Sequence, residues 1–390
     1  MTNGMTKDGR EDLLARGYSR RHIMRAAAML SGAAAGFAFG PEISTSARAA
    51  IQAKIRIGLN ECWTGPFAPG VSAAATTTSQ CNRYSPNGER EALVRAISQI
   101  ENIPDDHISI WPGSNIALAR SVLAFCSPAK GLVTANPGYE TAPTAAKWLG
   151  APLKAVPLKP DYSHDVKAML AANPKAGLYY VCSPNNPTGT MTPKADIEWL
   201  VNNKPAGAMV LIDEAYIHWS KAYPGNTSTY LARAGKDVLV MRTFSKIFGM
   251  AGMRVGYFMA RPDVIEKLQM FDGGDLSVDL PMASIACATA NLTQHAMLNQ
   301  RRQELIETRA MTEDFLKKKN LRVIGPSEAN MVMVDWKSKT AKEMEAAFRA
   351  QGVEIAGPRW PIWPTVSRIT IGSKSDMEGF FGALNKIVSA

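Results

Sequence analysis

Five short segments of this 390-residue chain carry residue types suited to carbonyl and anion chemistry. The first is Thr243-Phe244-Ser245-Lys246, with Arg254 eight residues on. A charged lysine does not attack carbonyls. Burial and nearby cations lower its pKa and free the amine as a nucleophile. Thr243, Ser245 and Arg254 read as an anion cradle beside it. The others are Pro112-Gly113-Ser114-Asn115, Asn136-Pro137-Gly138-Tyr139, Ser183-Pro184-Asn185-Asn186-Pro187-Thr188-Gly189 and Asp213-Glu214-Ala215-Tyr216. A carbonyl-reactive lysine next to a phosphate cradle suggests a pyridoxal phosphate (PLP) site.

These segments share a position: each follows a short apolar run. Runs at Ile108–Trp111, Leu132–Ala135, Leu153–Pro157, Leu178–Cys182, Met209–Asp213, Val238–Met241 and Val255–Met259 read as strands, several of them apolar throughout, as strands covered on both faces are. Helical patterns lie between many of them, at Asn115–Phe125, Thr141–Leu149 and Lys194–Val201. Alternation of this kind predicts an α/β fold, with a mostly parallel seven-stranded sheet between helices forming a large domain. Ligands of such sheets sit beyond the carboxyl ends of the strands, where the five segments fall. A helix at Glu89–Glu101 precedes the sheet. The stretch from Pro281 to the end reads as a long helical region, strands near Met331–Val334 and Ser367–Ile371, and helices at Ala341–Ala350 and from Asp376. That is a small α+β domain. The expected boundaries are an arm at 50–80 joining the small domain, a large domain at 81–290 and a small domain at 291–390.

The formal net charge is +10, and residues 1–49 hold seven Lys/Arg against four Asp/Glu. No later block of basic residues has a nucleic-acid pattern, so the charge suits solubility and anionic ligands. Cys62, Cys81, Cys126, Cys182 and Cys287 are scattered, without a CxxC and without clustered histidines, so no metal site is expected. Their odd number excludes a disulfide framework that uses all of them, while one pair stays open. Residues 1–49 read as a targeting segment. Ser19-Arg20-Arg21-His22-Ile23-Met24 is close to a twin-arginine pattern, the Ala/Gly-rich stretch Ala26–Gly40 follows, and Ala47-Arg48-Ala49 is an A-x-A cleavage signal. The stretch is too short and too rich in small residues for a stable membrane span. The expected outcome is export of the folded protein by the twin-arginine translocase to the periplasm, with cleavage after Ala49.

From about Ile55 to Ala390 the chain resembles the fold type I PLP-dependent aminotransferases of class I/II, and most nearly their histidinol-phosphate aminotransferase branch. The likeness rests on Ser-Pro-Asn-Asn-Pro-Thr-Gly, Asp-Glu-Ala-Tyr, Thr-x-Ser-Lys with Arg254, and Ser367-Arg368-Ile369-Thr370-Ile371-Gly372, in that order. It implies transfer of an amino group from an amino acid to a 2-oxo acid by a ping-pong cycle. Lys246 is implied to hold the cofactor covalently and to shuttle the proton. Asp213 would pair with the pyridine nitrogen, Asn186 and Tyr216 would bind the ring's phenolic oxygen, and Tyr139 would stack on the ring. Ser114, Asn115, Thr243, Ser245 and Arg254 would hold the phosphate. Tyr84 matches a position that reaches the partner subunit's phosphate, which implies a homodimer. Arg368 would bind the substrate carboxylate bidentately, and Asn60 and Glu61 match the start of an arm that closes over the site. The same scaffold also supports decarboxylation or other Cα chemistry, and the motifs do not separate these.

The departures concern the substrate. Cys62-Trp63 stands where the family arm has proline and a tyrosine or small residue, and Gly113-Ser114-Asn115 stands where an acidic pair is common. Arg359 is the only candidate for a substrate-phosphate arginine, and it is offset. Trp63, Trp360 and Trp363 either line an aromatic or apolar side-chain pocket or pack in the core. Export also argues against a role in histidine biosynthesis.

Overall fold

A computed structural model describes residues 5–30, 53–271 and 276–389. Strand β1 (Ile55–Ile57) lies outside the main sheet. The main sheet is built from β2 (Ile108–Trp111), β3 (Leu132–Asn136), β4 (Leu153–Pro157), β5 (Leu178–Cys182), β6 (Met209–Asp213), β7 (Val238–Thr243) and β8 (Gly256–Met259), in the order β2-β8-β7-β6-β5-β3-β4. Only β8 runs antiparallel to its neighbours. Strands β5, β6, β7 and β8 are buried at every position, the burial expected when helices cover both faces. Alternate residues serve opposite faces: Tyr179, Val181, Val210 and Ile212 join one apolar cluster, and Leu178, Tyr180, Leu211 and Met241 the other.

The C-terminal part holds β9 (Arg322–Ile324), β10 (Met331–Asp335), β11 (Val353–Ile355) and β12 (Val366–Thr370). An antiparallel sheet of order β12-β10-β9 places Arg368 opposite Met333. Strand β1 pairs in parallel with β11, which ties the 50–80 arm to this sheet. The predicted long helical region is two helices, Met282–Leu292 and His295–Lys318. The small-residue stretch at 71–78 is helical, as part of Ala68–Thr78. That helix packs chiefly on Met282–Leu292, with Gly70 against the Asn291 side chain.

The N-terminal segment departs from the expectation that all of 1–49 lies outside the fold. Helices Lys7–Ala15 and Arg20–Leu30 pack against the helical layer on one face of the main sheet, and Leu13, Tyr18, Ile23 and Ala26 are buried in the apolar cluster there. Arg16 donates to the carbonyls of Leu123 (2.8 Å), Ala124 (3.1 Å) and Cys126 (2.7 Å), at the end of helix Ser114–Phe125. Terminal helix carbonyls lack intrahelical donors and carry partial negative charge, so a guanidinium is a fitting cap. Arg20 and Arg21 remain exposed. The Ala47-Arg48-Ala49 signal lies outside the described residues. Among the described residues no helix is long and apolar enough to cross a membrane.

Candidate active site

The carboxyl ends of β5, β6 and β7 open on one cavity of about 350 Å³, which helix Ser114–Phe125, β12 and the arm after β1 complete. Its lining includes Ser114, Asn115, Tyr139, Asn186, Asp213, Tyr216, Thr243, Ser245, Lys246, Arg254, Arg368 and Asn60. Parallel strands bring the carboxyl ends of β5, β6 and β7 to one edge of the sheet, and the arm after β1 and strand β12 bring Asn60 and Arg368 to the same space.

One end of the cavity has the groups that suit a phosphate. Gly113 precedes helix Ser114–Phe125, whose first N–H groups have no intrahelical acceptor. Gly113 has φ +85°, and a Cβ there would lie 2.2 Å from Arg254 Nη2. The bare glycine is what lets the guanidinium lie against the helix start. Arg254 itself adopts a left-handed conformation (φ 55°) and donates to the Ala251 carbonyl at 2.9 Å. Thr243 Oγ1 and Ser245 Oγ stand 2.9 Å apart, and the Ser245 N–H donates to Thr243 Oγ1 at 3.1 Å. Tyr139 donates its hydroxyl to Asn115 Oδ1 at 2.9 Å, which holds its ring across the cavity wall.

The middle of the cavity holds the reactive groups. Lys246 Nζ donates to the Asn60 carbonyl at 3.0 Å and lies 5.3 Å from the Tyr216 ring centroid. Burial and then the Arg368 charge pull the Lys246 amine down to about 8. Asp213 ends β6 and is 2% exposed. Burial pushes its carboxyl up to about 6, against hydrogen bonds from Tyr180 and the Ala215 N–H. The Tyr216 hydroxyl accepts from Asn60 Nδ2 (3.1 Å) and Asn186 Nδ2 (3.3 Å), and burial raises its pKa. Arg368 is buried. It donates Nη1 to Asn186 Oδ1 (2.8 Å) and Nη2 to the Gly58 carbonyl (2.7 Å), and its Nε finds no acceptor. Burial and the neighbouring Arg359 charge lower it to about 10. A buried cation with an unused donor beside a cavity is suited to an anion.

These residues fit PLP. The helix start with Ser114, Asn115, Thr243, Ser245 and Arg254 suits the phosphate, Asp213 suits a protonated ring nitrogen, and Lys246 stands between them. Two predicted residues stand apart from this cavity. Trp63 is absent from its described lining, and its ring stacks on buried Trp219 at 5.7 Å. Tyr84 is 90% exposed and also lies outside the lining of its own chain's cavity. Trp360 packs with Ile324, Met333 and Val366 under the Arg368 guanidinium, and Trp363 stands against Tyr162. Arg359 and Glu61 do line the cavity. Tyr180 went unremarked in the sequence, although a buried strand phenol usually finds a hydrogen-bond partner.

The geometry defines a PLP-type site at the carboxyl edge of an α/β sheet. Residues 49–384 match the family "Aminotransferase class I and II", and the chain belongs to it. It is an enzyme of this PLP-dependent class. It is 31% identical over 327 residues to an aromatic amino acid aminotransferase of Rhodococcus jostii (strain RHA1), covering 84% of this chain and 88% of that one. It is 30% identical over 338 residues to a histidinol-phosphate aminotransferase of Moorella thermoacetica, covering 86% of each. The fold superposes on the histidinol-phosphate aminotransferase of Sinorhizobium meliloti in complex with pyridoxal-5'-phosphate with a TM-score of 0.79, at 22% identity, over 90% of this chain and 97% of that one. The likeness to relatives of two activities leaves the substrate to the chain's own residues.

Proposed function

We propose that this enzyme moves an amino group from an amino acid to a 2-oxo acid by a ping-pong cycle, as a homodimer exported by the twin-arginine route. The observation that carries the catalytic part is the convergence of Lys246, Asp213 and Arg368 on one cavity from β7, β6 and β12. When bound, PLP supplies an electron sink for the bonds at the substrate Cα. The protein supplies the rest. Arg368 binds the substrate carboxylate and fixes which atoms face Lys246. The Lys246 amine, half neutral at about pH 8, would take the proton from the substrate Cα and hold it for return. Asp213 would keep the ring nitrogen of bound PLP cationic. Asn186 and Tyr216 would hold the phenolic oxygen, and the contact of Asn186 with Arg368 would couple substrate binding to that oxygen.

Dimerisation is supported by Tyr84, which is 90% exposed and absent from the described lining of its own chain's cavity. Export is supported by the order of the leader features and by exposed Arg20 and Arg21 on the folded body. The decisive experiment is an amino-donor screen on the purified protein, reading loss of the cofactor's visible band together with formation of an oxo acid. Carbon dioxide release without an oxo acid, or no spectral response to any donor, overturns the reading.

A further inference from the structure

A carboxylate as buried as Asp213 favours its neutral form, yet pairing with a cationic ring nitrogen needs it ionised. The structure shows how this conflict is met. Tyr180 sits in the middle of β5, 1% exposed, paired with Thr134 on β3 and Leu211 on β6. It shares an apolar cluster with Leu178, Leu211 and Met241. Its hydroxyl donates to Asp213 Oδ2 at 2.8 Å, and the Ala215 N–H donates to Asp213 Oδ1 at 3.0 Å. Each carboxylate oxygen therefore has its own donor, one from the adjacent strand and one from the turn after β6. Two donors fix the carboxylate plane as well as its position, and both favour its charged form. Tyr180 is absent from the described cavity lining, so it acts on the site through Asp213.

We infer that Tyr180 is a positioning residue that holds the Asp213 carboxylate ionised and aimed, so that the proton it shares with the PLP ring nitrogen stays on the ring. This rests on the proposed pairing of Asp213 with that nitrogen. Removing the phenol leaves Oδ2 without its donor and raises the proton affinity of the carboxylate. The shared proton then moves toward Asp213, the ring loses positive charge, and the nitrogen joining Lys246 to the cofactor becomes more basic.

The test is a pH titration of the visible band of PLP-loaded enzyme, with the rate of cofactor release measured alongside. Tyr180→Phe is expected to raise the midpoint by about half a pH unit or more, the size set by losing one hydrogen bond to a charged group and attenuating it across the ring. It is also expected to release cofactor faster. A more acidic phenol, 3-fluorotyrosine placed at position 180, is expected to lower the midpoint, and it decides the matter if Tyr180→Phe does not fold. Tyr179→Phe removes the neighbouring phenol, which donates to the Asn173 carbonyl away from the site, and should titrate as the parent does. A parental midpoint in Tyr180→Phe, an equal shift in Tyr179→Phe, or an upward shift with the fluorinated residue overturns the inference. A parental midpoint in Asp213→Asn overturns the Asp213 pairing itself, which separates the two failures.

Discussion

Two groups of arginines divide the molecule. Arg16, at the far end of helix Ser114–Phe125, gives its donors to three carbonyls and to Asp12. Arg242, buried on β7, is taken up by Glu101, Glu214 and Thr229. At the cavity the pattern reverses. Arg254 donates to one carbonyl, Arg368 keeps Nε unpartnered, and Arg359 makes no hydrogen bond or ion pair among the described residues. A guanidinium has five N–H donors. Where protein acceptors take them the group holds structure together, and where donors are left over the site has room for an anion. Residue type and burial alone would not separate the two groups. The count of donors left over does.

The largest effect that could break this contrast belongs to Lys246, which no other residue replaces. Lys246→Ala should reduce turnover by about 10⁴-fold or more, measured in the assay that the donor screen provides; undiminished turnover would remove the lysine from the chemistry. Next comes the unsatisfied arginine. Arg368→Lys keeps the charge but loses the fork, and should lower kcat/KM by about 10²-fold while the cofactor band stays in place. A loss of cofactor instead would make Arg368 a structural residue like Arg242.

The effect of pH should be smaller and has a definite sign. The uptake rate of PLP by apoenzyme, followed by stopped-flow absorbance, should rise with pH through about 8, because only the neutral Lys246 amine reacts. It should fall as pH drops through about 6, where Asp213 takes up a proton and loses its attraction for the ring nitrogen. A flat profile between these values would mean that neither group governs loading. The smallest effect should come from the saturated set. Arg16→Ala should lower Tm by about 1–2 °C, the loss of one helix cap in a chain of this size, with kcat/KM unchanged.

The sheet was legible because strands covered on both faces are written as apolar runs, and the motif residues were legible because they fall just after those runs. Lys246 and Asp213 belong to such positions, whereas Arg368 sits inside β12 and was legible only through the Ser-Arg-Ile-Thr-Ile-Gly motif. Tyr180 lies in mid-strand, where nothing in its immediate sequence names its acceptor 33 residues away. Asn60 could be placed near the site, but the contact of its carbonyl with Lys246 spans 186 residues and needs β1 on β11 first. The tryptophans were ambiguous for a physical reason: the same ring suits a pocket wall or a core, and Trp63 against Trp219 shows packing. The hairpin at 5–30 was hidden by its own composition. A basic stretch before small residues reads as a leader, while the apolar spacing of Leu13, Tyr18, Ile23 and Ala26 that seats it against the main sheet's helices is sparse.

Gly113 carries a consequence for how this enzyme can vary. Its φ of +85° disfavours every side chain, and the 2.2 Å approach of Arg254 leaves no volume for even a methyl group. Both prohibitions act on one atom, so no second change nearby relieves them together. In a library of all replacements along residues 108–125, position 113 should stand as a single column of failures, losing bound cofactor well before it loses the fold.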